Sequence, residues 1–156
     1  MAVLEDSWRV RFLEGGLLYL YCALRQLRSY EGFAVEIEAD GRSLGRQDLL
    51  MLILANARVF GGGFKVAPRA DLSDGRLDAL LFGNMGLRGR VSALVRLLRG
   101  THEAHPRIFA VSAGRLVCRF ASAPAYETDG EWNRAQDAEV VVETLAKALE
   151  VMVPRP

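Results

Sequence analysis

Asp71 and Asp74 stand three residues apart in the segment ADLSDGRLD, and Gly75 follows the second aspartate directly. On a turn, two carboxylates at that spacing and a neighbouring carbonyl can converge on a hard cation such as Mg2+. An Asp-Gly hairpin that holds no ion satisfies the same pattern. A second acidic pair lies in YETDGEWN, where Asp129 and Glu131 flank Gly130. Alternate residues of an extended segment face one side, so the two carboxylates would repel each other and lift one pKa toward the working range of a general base. A solvated turn is the alternative there. His102 and His105 sit either side of Glu103 in GTHEAHP. They lack a third partner for a metal, and loop histidines are commonplace.

Gly61, Gly62 and Gly63 precede Lys65 in GGGFKVAP, which raises the question of a phosphate cradle. Neither G-x-x-x-x-G-K-[ST] nor G-x-G-x-x-G between a strand and a helix is present, and Pro68 sits where a helix would have to begin or run. The tract reads instead as a bulge or a close backbone approach at a strand end, with Pro68 marking an edge.

The elements that must position these groups are mostly short strands. Val10 to Tyr30 carries Leu13, Leu17, Leu20, Tyr21, Leu24 and Leu27 at helical spacing, which predicts an amphipathic helix. Phe33, Val35 and Ile37 alternate with Glu36 and Glu38 before Asp40-Gly41, the pattern of a half-buried strand ending in a tight turn. Leu49 to Ala55 reads as a fully buried strand, and Arg76 to Phe82 as another beyond Asp74-Gly75. Leu87 to Arg99 returns to helical period, with Val91, Leu94, Val95 and Leu98 on one side and Arg88, Arg90, Arg96 and Arg99 largely elsewhere. That basic helix is either a solvated face or a surface for anionic lipid headgroups. Further strands are expected at Ile108 to Ser112, Leu116 to Phe120, Glu139 to Glu143 and Leu149 to Val153. The expectation is one mainly β (α+β) domain over residues 1–156: a two-layer antiparallel β-sandwich-like fold with an N-terminal helix and one inserted helix.

Composition narrows the function classes. The 156 residues suffice for one domain with a real core, and 51% hydrophobic with 25% charged residues is a globular balance. A net charge of +1 gives no broad footprint for nucleic acid, so no such partner is expected. Cys22 and Cys118 are far apart, which indicates neither a disulfide framework nor a zinc site and makes a reducing cytoplasm the default. No charged and then apolar leader opens the chain and no run of about 18 apolar residues occurs, so neither export nor membrane spanning is expected. A homodimer stays open.

The ordered set GLLYLYCALRQL, ANARVFGGGFKVAPRADLSDGRLD, LLRGTHEAHP and TDGE, followed by LEVMVP, resembles the C-terminal domain of the bacterial diacylglycerol kinase-like lipid kinases, relatives of sphingosine and ceramide kinases. The resemblance runs from about Leu13 onward and implies a two-layer β-sandwich. It further implies that Asp71, Asp74 and the carbonyl of Arg76 hold a structural Mg2+, although the position of Arg76 is usually apolar. It implies that Asp129 is the base that deprotonates a lipid hydroxyl, with Glu131 in support, and that the glycine tract shapes a strand end near the cleft. The family's ATP-binding domain, with its G-G-D-G-T loop, has no counterpart in this sequence. ATP is therefore expected only through a separate nucleotide-binding partner, and the chain alone is expected to be inactive. A peripheral contact with the inner membrane face accords with a lipid substrate. The competing class is a non-catalytic lipid-binding or assembly module that kept the fold.

Overall fold

The structure is a computed structural model that describes residues 28–59, 65–150 and 152. Strands β1 (Phe33–Ala39), β2 (Arg42–Ala55) and β3 (Leu77–Gly83) lead into helix α1 (Leu87–Leu98) and a single 3-10 turn at His102–Ala104. Strands β4 (Ile108–Ala113), β5 (Arg115–Phe120), β6 (Ala125–Thr128), β7 (Glu131–Arg134) and β8 (Glu139–Glu143) follow. Six of them form one antiparallel sheet in the order β4-β3-β2-β1-β5-β8, while β6 and β7 pair with each other in a separate two-stranded sheet.

The 14-residue β2 is what folds this sheet into two layers. Its first half, Arg42 to Leu49, pairs with β1, and its second half, Leu49 to Ala55, pairs with β3. At the changeover Leu49 faces Gly83 and Met51 faces Phe82, so Leu50 is an extra residue, a bulge that bends the strand. The bulge also shifts the side-chain alternation by one: Leu49 points into the interior and the next inward residues are Leu52 and Leu54. Val35 and Ile37 of β1 and Leu116 and Cys118 of β5 thereby meet Ala79 and Leu81 of β3 and Ala113 of β4 in one core. The Cys118 thiol is free and buried there, and burial pushes its pKa up.

The outer face of the β3-β4 layer builds a second core. Leu80, Phe82 and Ile108 are covered by Val66, Ala67 and Ala70 from the preceding loop and by Ala93 of α1. β3 is consequently apolar on both faces, and full burial of a side chain such as Leu80 contributes about 1.5–3 kcal/mol. The expected β-sandwich-like α+β domain is present.

Several expectations need correction. Leu49 to Ala55 is part of a longer strand and is not fully buried, since Met51 is 38% exposed. The strand expected at Leu149 to Val153 is absent at Leu149, Glu150 and Met152, which lie outside any strand. Val151 and Val153 lie outside the described residues, as does all of the N-terminal helix before Arg28; Arg28 and Ser29 are helical. The inserted helix matches its expected span, but its apolar stripe does not face the core. Ala93 is the buried residue and Leu97 packs beside it, whereas Leu87, Val91, Val95 and Leu98 are exposed.

Candidate functional site

The turn from Asp71 to Arg76 lies at one end of the sandwich, where hydrogen bonds from four parts of the chain fix it. Within the turn, Asp71 Oδ1 accepts from the Ser73 amide at 2.9 Å and the Ser73 hydroxyl at 2.6 Å, and Asp74 Oδ1 accepts from the Arg76 amide at 2.8 Å. Gly75 adopts a left-handed backbone with φ of 68°, and a Cβ there would lie 2.9 Å from the Cβ of Ala146. The Thr144 hydroxyl is 2.5 Å from the Gly75 carbonyl and 3.1 Å from that of Gly114, with one proton to give to either. The Arg76 side chain turns away from the acidic groups of the turn: Nη2 donates to Asp40 Oδ2 at 2.9 Å and to the Ser112 carbonyl at 2.7 Å.

Asp40 ties this end together. It sits with Gly41 in the β1–β2 turn, both at positive φ (48° and 78°) as a two-residue type I′ hairpin requires. Its Oδ1 accepts from the amides of Arg115 at 2.9 Å and Gly114 at 3.0 Å. The Arg115 amide, and after it the Arg76 side chain and the Gly114 amide, hold the Asp40 carboxyl below the usual range. Nothing in the sequence pattern singles out Asp40 beyond its turn, because its partner Arg76 is 36 residues away.

The donor chemistry of the Asp71–Arg76 turn suits Mg2+. Two carboxylates and a backbone carbonyl are hard oxygen ligands, and Mg2+ ordinarily keeps several waters, so it needs few protein groups. Among the described residues no cluster of three His, Cys, Asp or Glu side chains converges as a metal-binding group. Asp71 is held below the usual range by the Ser73 hydroxyl first, then by the Ser73 amide and the charge of Arg58. Asp78, at the start of β3, goes the other way: burial raises its pKa, and the charges of Asp74 and Glu103 raise it further. Asp74 and Glu103 are thus close enough to act on Asp78, while the charges of Arg76 and Arg69 act the opposite way. Arg69 also pairs with Glu103 at 3.0 Å.

Asp129 and Gly130 form the tip of the β6–β7 ribbon, with φ of 50° and 91° and Thr128 paired to Glu131 across the turn. The expectation of an extended segment is corrected: Asp129 is a turn residue and Glu131 opens β7, so the two are not alternate residues of one strand. Both are exposed. Asn133 Nδ2 donates to Thr128 Oγ1 at 2.9 Å and to the Glu131 carbonyl at 3.2 Å, which braces the tip. Among the described residues no hydrogen bond or ion pair engages the Asp129 carboxylate. Tyr126 and Trp132 are exposed large rings on the same ribbon.

The structure does not bring the two acidic pairs and the histidines into one constellation. His102 is fully buried, stacked on Phe82 with ring centroids 6.0 Å apart, and its Nε2 lies 2.8 Å from the Val66 carbonyl. Nε2 must be the protonated nitrogen, since a carbonyl only accepts. Its Nδ1 is buried with no hydrogen-bond partner among the described residues. His105 Nδ1 accepts from the Arg107 amide at 3.2 Å. These are packing and turn residues of the second core. Gly61, Gly62 and Gly63 lie outside the described residues.

Three comparisons bear on this arrangement. The chain is 26% identical over 147 residues to a diacylglycerol kinase of Bacillus subtilis (strain 168), covering 94% of this chain and 48% of that one. It is 24% identical over 147 residues to a diacylglycerol kinase of Mycobacterium tuberculosis (strain ATCC 25618 / H37Rv), covering 94% and 47%. The chain thus spans about half the length of the curated relatives it matches. The solved structure of a diacylglycerol kinase from Bacillus anthracis str. Sterne superposes with a TM-score of 0.63 at 22% identity, over 85% of this chain and 44% of that one, and so shares the fold. The family model for the YegS C-terminal NAD kinase beta sandwich-like domain matches residues 2–153. With nearly its whole length matched and the bent β-sandwich in place, this chain belongs to the family of YegS C-terminal NAD kinase beta sandwich-like domains.

Proposed function

We propose that the chain is the acceptor-side domain of a diacylglycerol kinase-like lipid kinase, which works with a nucleotide-binding domain on a separate part of the enzyme. The observation that carries this reading is the match to proteins named diacylglycerol kinase along nearly the whole chain, against only half of theirs. In this reading Asp129 takes the proton from a lipid hydroxyl as the hydroxyl oxygen bonds to the γ-phosphorus of ATP. The bond from that phosphorus to the bridging oxygen breaks, and ADP leaves with the electron pair. The β6–β7 ribbon suits the role because it presents Asp129 at an exposed tip with no partner among the described residues. Docking against a nucleotide-binding domain would strip water from the Asp129 carboxylate and set it beside the incoming hydroxyl, with Glu131 close by in sequence. Glu131 supports Asp129 and is not a second base.

Asp71, Asp74 and the Arg76 carbonyl would hold Mg2+, which as a bound cation supplies local charge compensation and a rigid turn. The turn itself packs on Thr144 and Ala146 just after β8, so ion binding would stiffen the end of the sandwich.

The test is a fusion that places the nucleotide-binding half of the Bacillus subtilis diacylglycerol kinase ahead of this chain. Transfer of labelled γ-phosphate to diacylglycerol in mixed micelles is expected from the fusion and not from either half alone. A folded fusion that binds ATP but phosphorylates no lipid, or turnover by the isolated chain, contradicts the reading.

A further inference from the structure

Helix α1 packs on the second core through Ala93 and Leu97, leaving a different stripe outside. Leu87, Val91, Val95 and Leu98 are 50%, 45%, 39% and 59% exposed. At about 100° per residue these four fall within roughly a quarter of the helix circumference, so they form one continuous apolar stripe and not scattered surface residues. Arg88 and Arg99 are exposed beside its two ends, whereas the half-buried Arg96 lies about 140° round from the middle of the stripe. No aspartate or glutamate occurs between Asp78 and Glu103, a span that contains four arginines.

A solvated helix ordinarily interleaves both signs of charge and keeps leucines inside. This one exposes its apolar side chains and carries a single sign. Among the described residues no helix is long and apolar enough to cross a membrane. A second copy of the chain placed symmetrically on the stripe would set arginines against arginines, which is repulsive. An anionic lipid surface satisfies both features at once, because acyl chains accept the stripe and phosphates accept the guanidinium groups.

We infer that α1 is the lipid-facing element of this domain, lying in the plane of an anionic membrane with Leu87, Val91, Val95 and Leu98 immersed and Arg88 and Arg99 on headgroups. The twelve-residue helix lies parallel to the surface, and the sandwich stands on it through the second core. This inference stands whether or not the phosphotransfer reading is right, since it needs only the helix and its charge. Binding through α1 falls as salt rises, because the arginines are screened while the apolar stripe is not.

The experiment is vesicle flotation of the full chain with phosphatidylcholine alone and with phosphatidylcholine containing about 30% phosphatidylglycerol, an anionic lipid of the kind that attracts basic segments. Strong binding is expected only to the anionic vesicles. Arg88→Gln with Arg99→Gln should weaken it about 25-fold, at roughly five-fold per arginine. Leu87→Ser with Leu98→Ser should weaken it at least about ten-fold, because two immersed leucines are lost. Both pairs are exposed, so circular dichroism should show an unchanged fold, and Arg46→Gln on β2 serves as the remote control. The inference is overturned if wild type fails to distinguish the two vesicles, or if both double variants bind like wild type. It is equally overturned if the stripe proves to be a protein contact: a dimer in sedimentation, or a complex with a nucleotide-binding half, that the leucine variants dissociate while vesicle binding stays intact.

Discussion

Replacing Gly75 with alanine should separate two physical demands that the Asp71–Arg76 turn makes on one residue. The first is backbone conformation: at φ of 68°, an L-residue with a Cβ is strained by about 1–2 kcal/mol. The second is space: the added Cβ would sit 2.9 Å from the Cβ of Ala146, well inside ordinary contact, and forcing an extra carbon into a packed site costs about 1–3 kcal/mol. Gly75→Ala is therefore expected to lose about 2–5 kcal/mol, which for a domain of this size lowers Tm by roughly 5–15 °C. Ala146→Gly removes the obstructing carbon. In the double variant the spatial part should be recovered and the backbone part should remain, giving a coupling energy of about 1–3 kcal/mol. Urea unfolding followed by circular dichroism, on wild type, both single variants and the double variant, measures this directly. A Gly75→Ala protein within about 0.5 kcal/mol of wild type would refute the left-handed turn, the usual scatter of neutral surface substitutions being of that size. Additive single effects would refute the contact with Ala146.

Asp71 and Asp78 should respond to pH with opposite signs. The Asp71 pKa is lowered in the fold, so its stabilisation is present above the unfolded carboxylate value of about 3.9 and is lost as pH falls through the lower folded value. Asp71→Asn should accordingly melt below wild type at pH 7 and converge with it near pH 2. The Asp78 pKa is raised, so its charge opposes folding above that raised value and ceases to matter below about 3.9. Asp78→Asn should melt above wild type at pH 7 and lose the advantage by pH 3, as scanning calorimetry at the three pH values would show. Mg2+ in a millimolar titration should raise the wild-type Tm and leave Asp71→Ala unmoved, because only the folded state offers the site. An unchanged wild-type Tm would count against ion binding at the turn.

The sequence made the turns legible because their chemistry is local. Asp40-Gly41 carries its positive-φ requirement in two adjacent residues, and the hairpin follows from them. The span of α1 was legible for the same reason, but not its orientation. Periodicity defines a stripe without saying which way it points, and here the sheet takes the small Ala93 for close approach with Leu97 beside it and leaves Leu87, Val91, Val95 and Leu98 outside. The full length of β2 was hidden by Arg46, Gln47 and Asp48 in mid-strand, and by the bulge at Leu50, which breaks the alternation a reader would count. The β6–β7 ribbon gave no signal of strand because nearly all of its residues are exposed, so no burial pattern marks it. At the candidate site, Asp71 and Asp74 were visible as a motif that ends at Asp78, whereas Asp40 and Glu103 join its surroundings through folding alone. Asp129 stands out in the sequence by its motif, and in the structure it occupies an exposed turn and not an extended strand.

The central claim is that this domain supplies the base of a lipid kinase through Asp129. The most direct measurement is the single-turnover rate of lipid phosphorylation by the fusion with a nucleotide-binding half, compared between wild type and Asp129→Asn. The asparagine keeps the size of the side chain and cannot take a proton, so the rate should fall by about two to four orders of magnitude while lipid affinity and Tm stay close to wild type. Glu131→Gln should lose far less. An Asp129→Asn fusion that is folded and phosphorylates lipid within a few-fold of the wild-type rate would contradict the claim and leave the β6–β7 turn a structural feature.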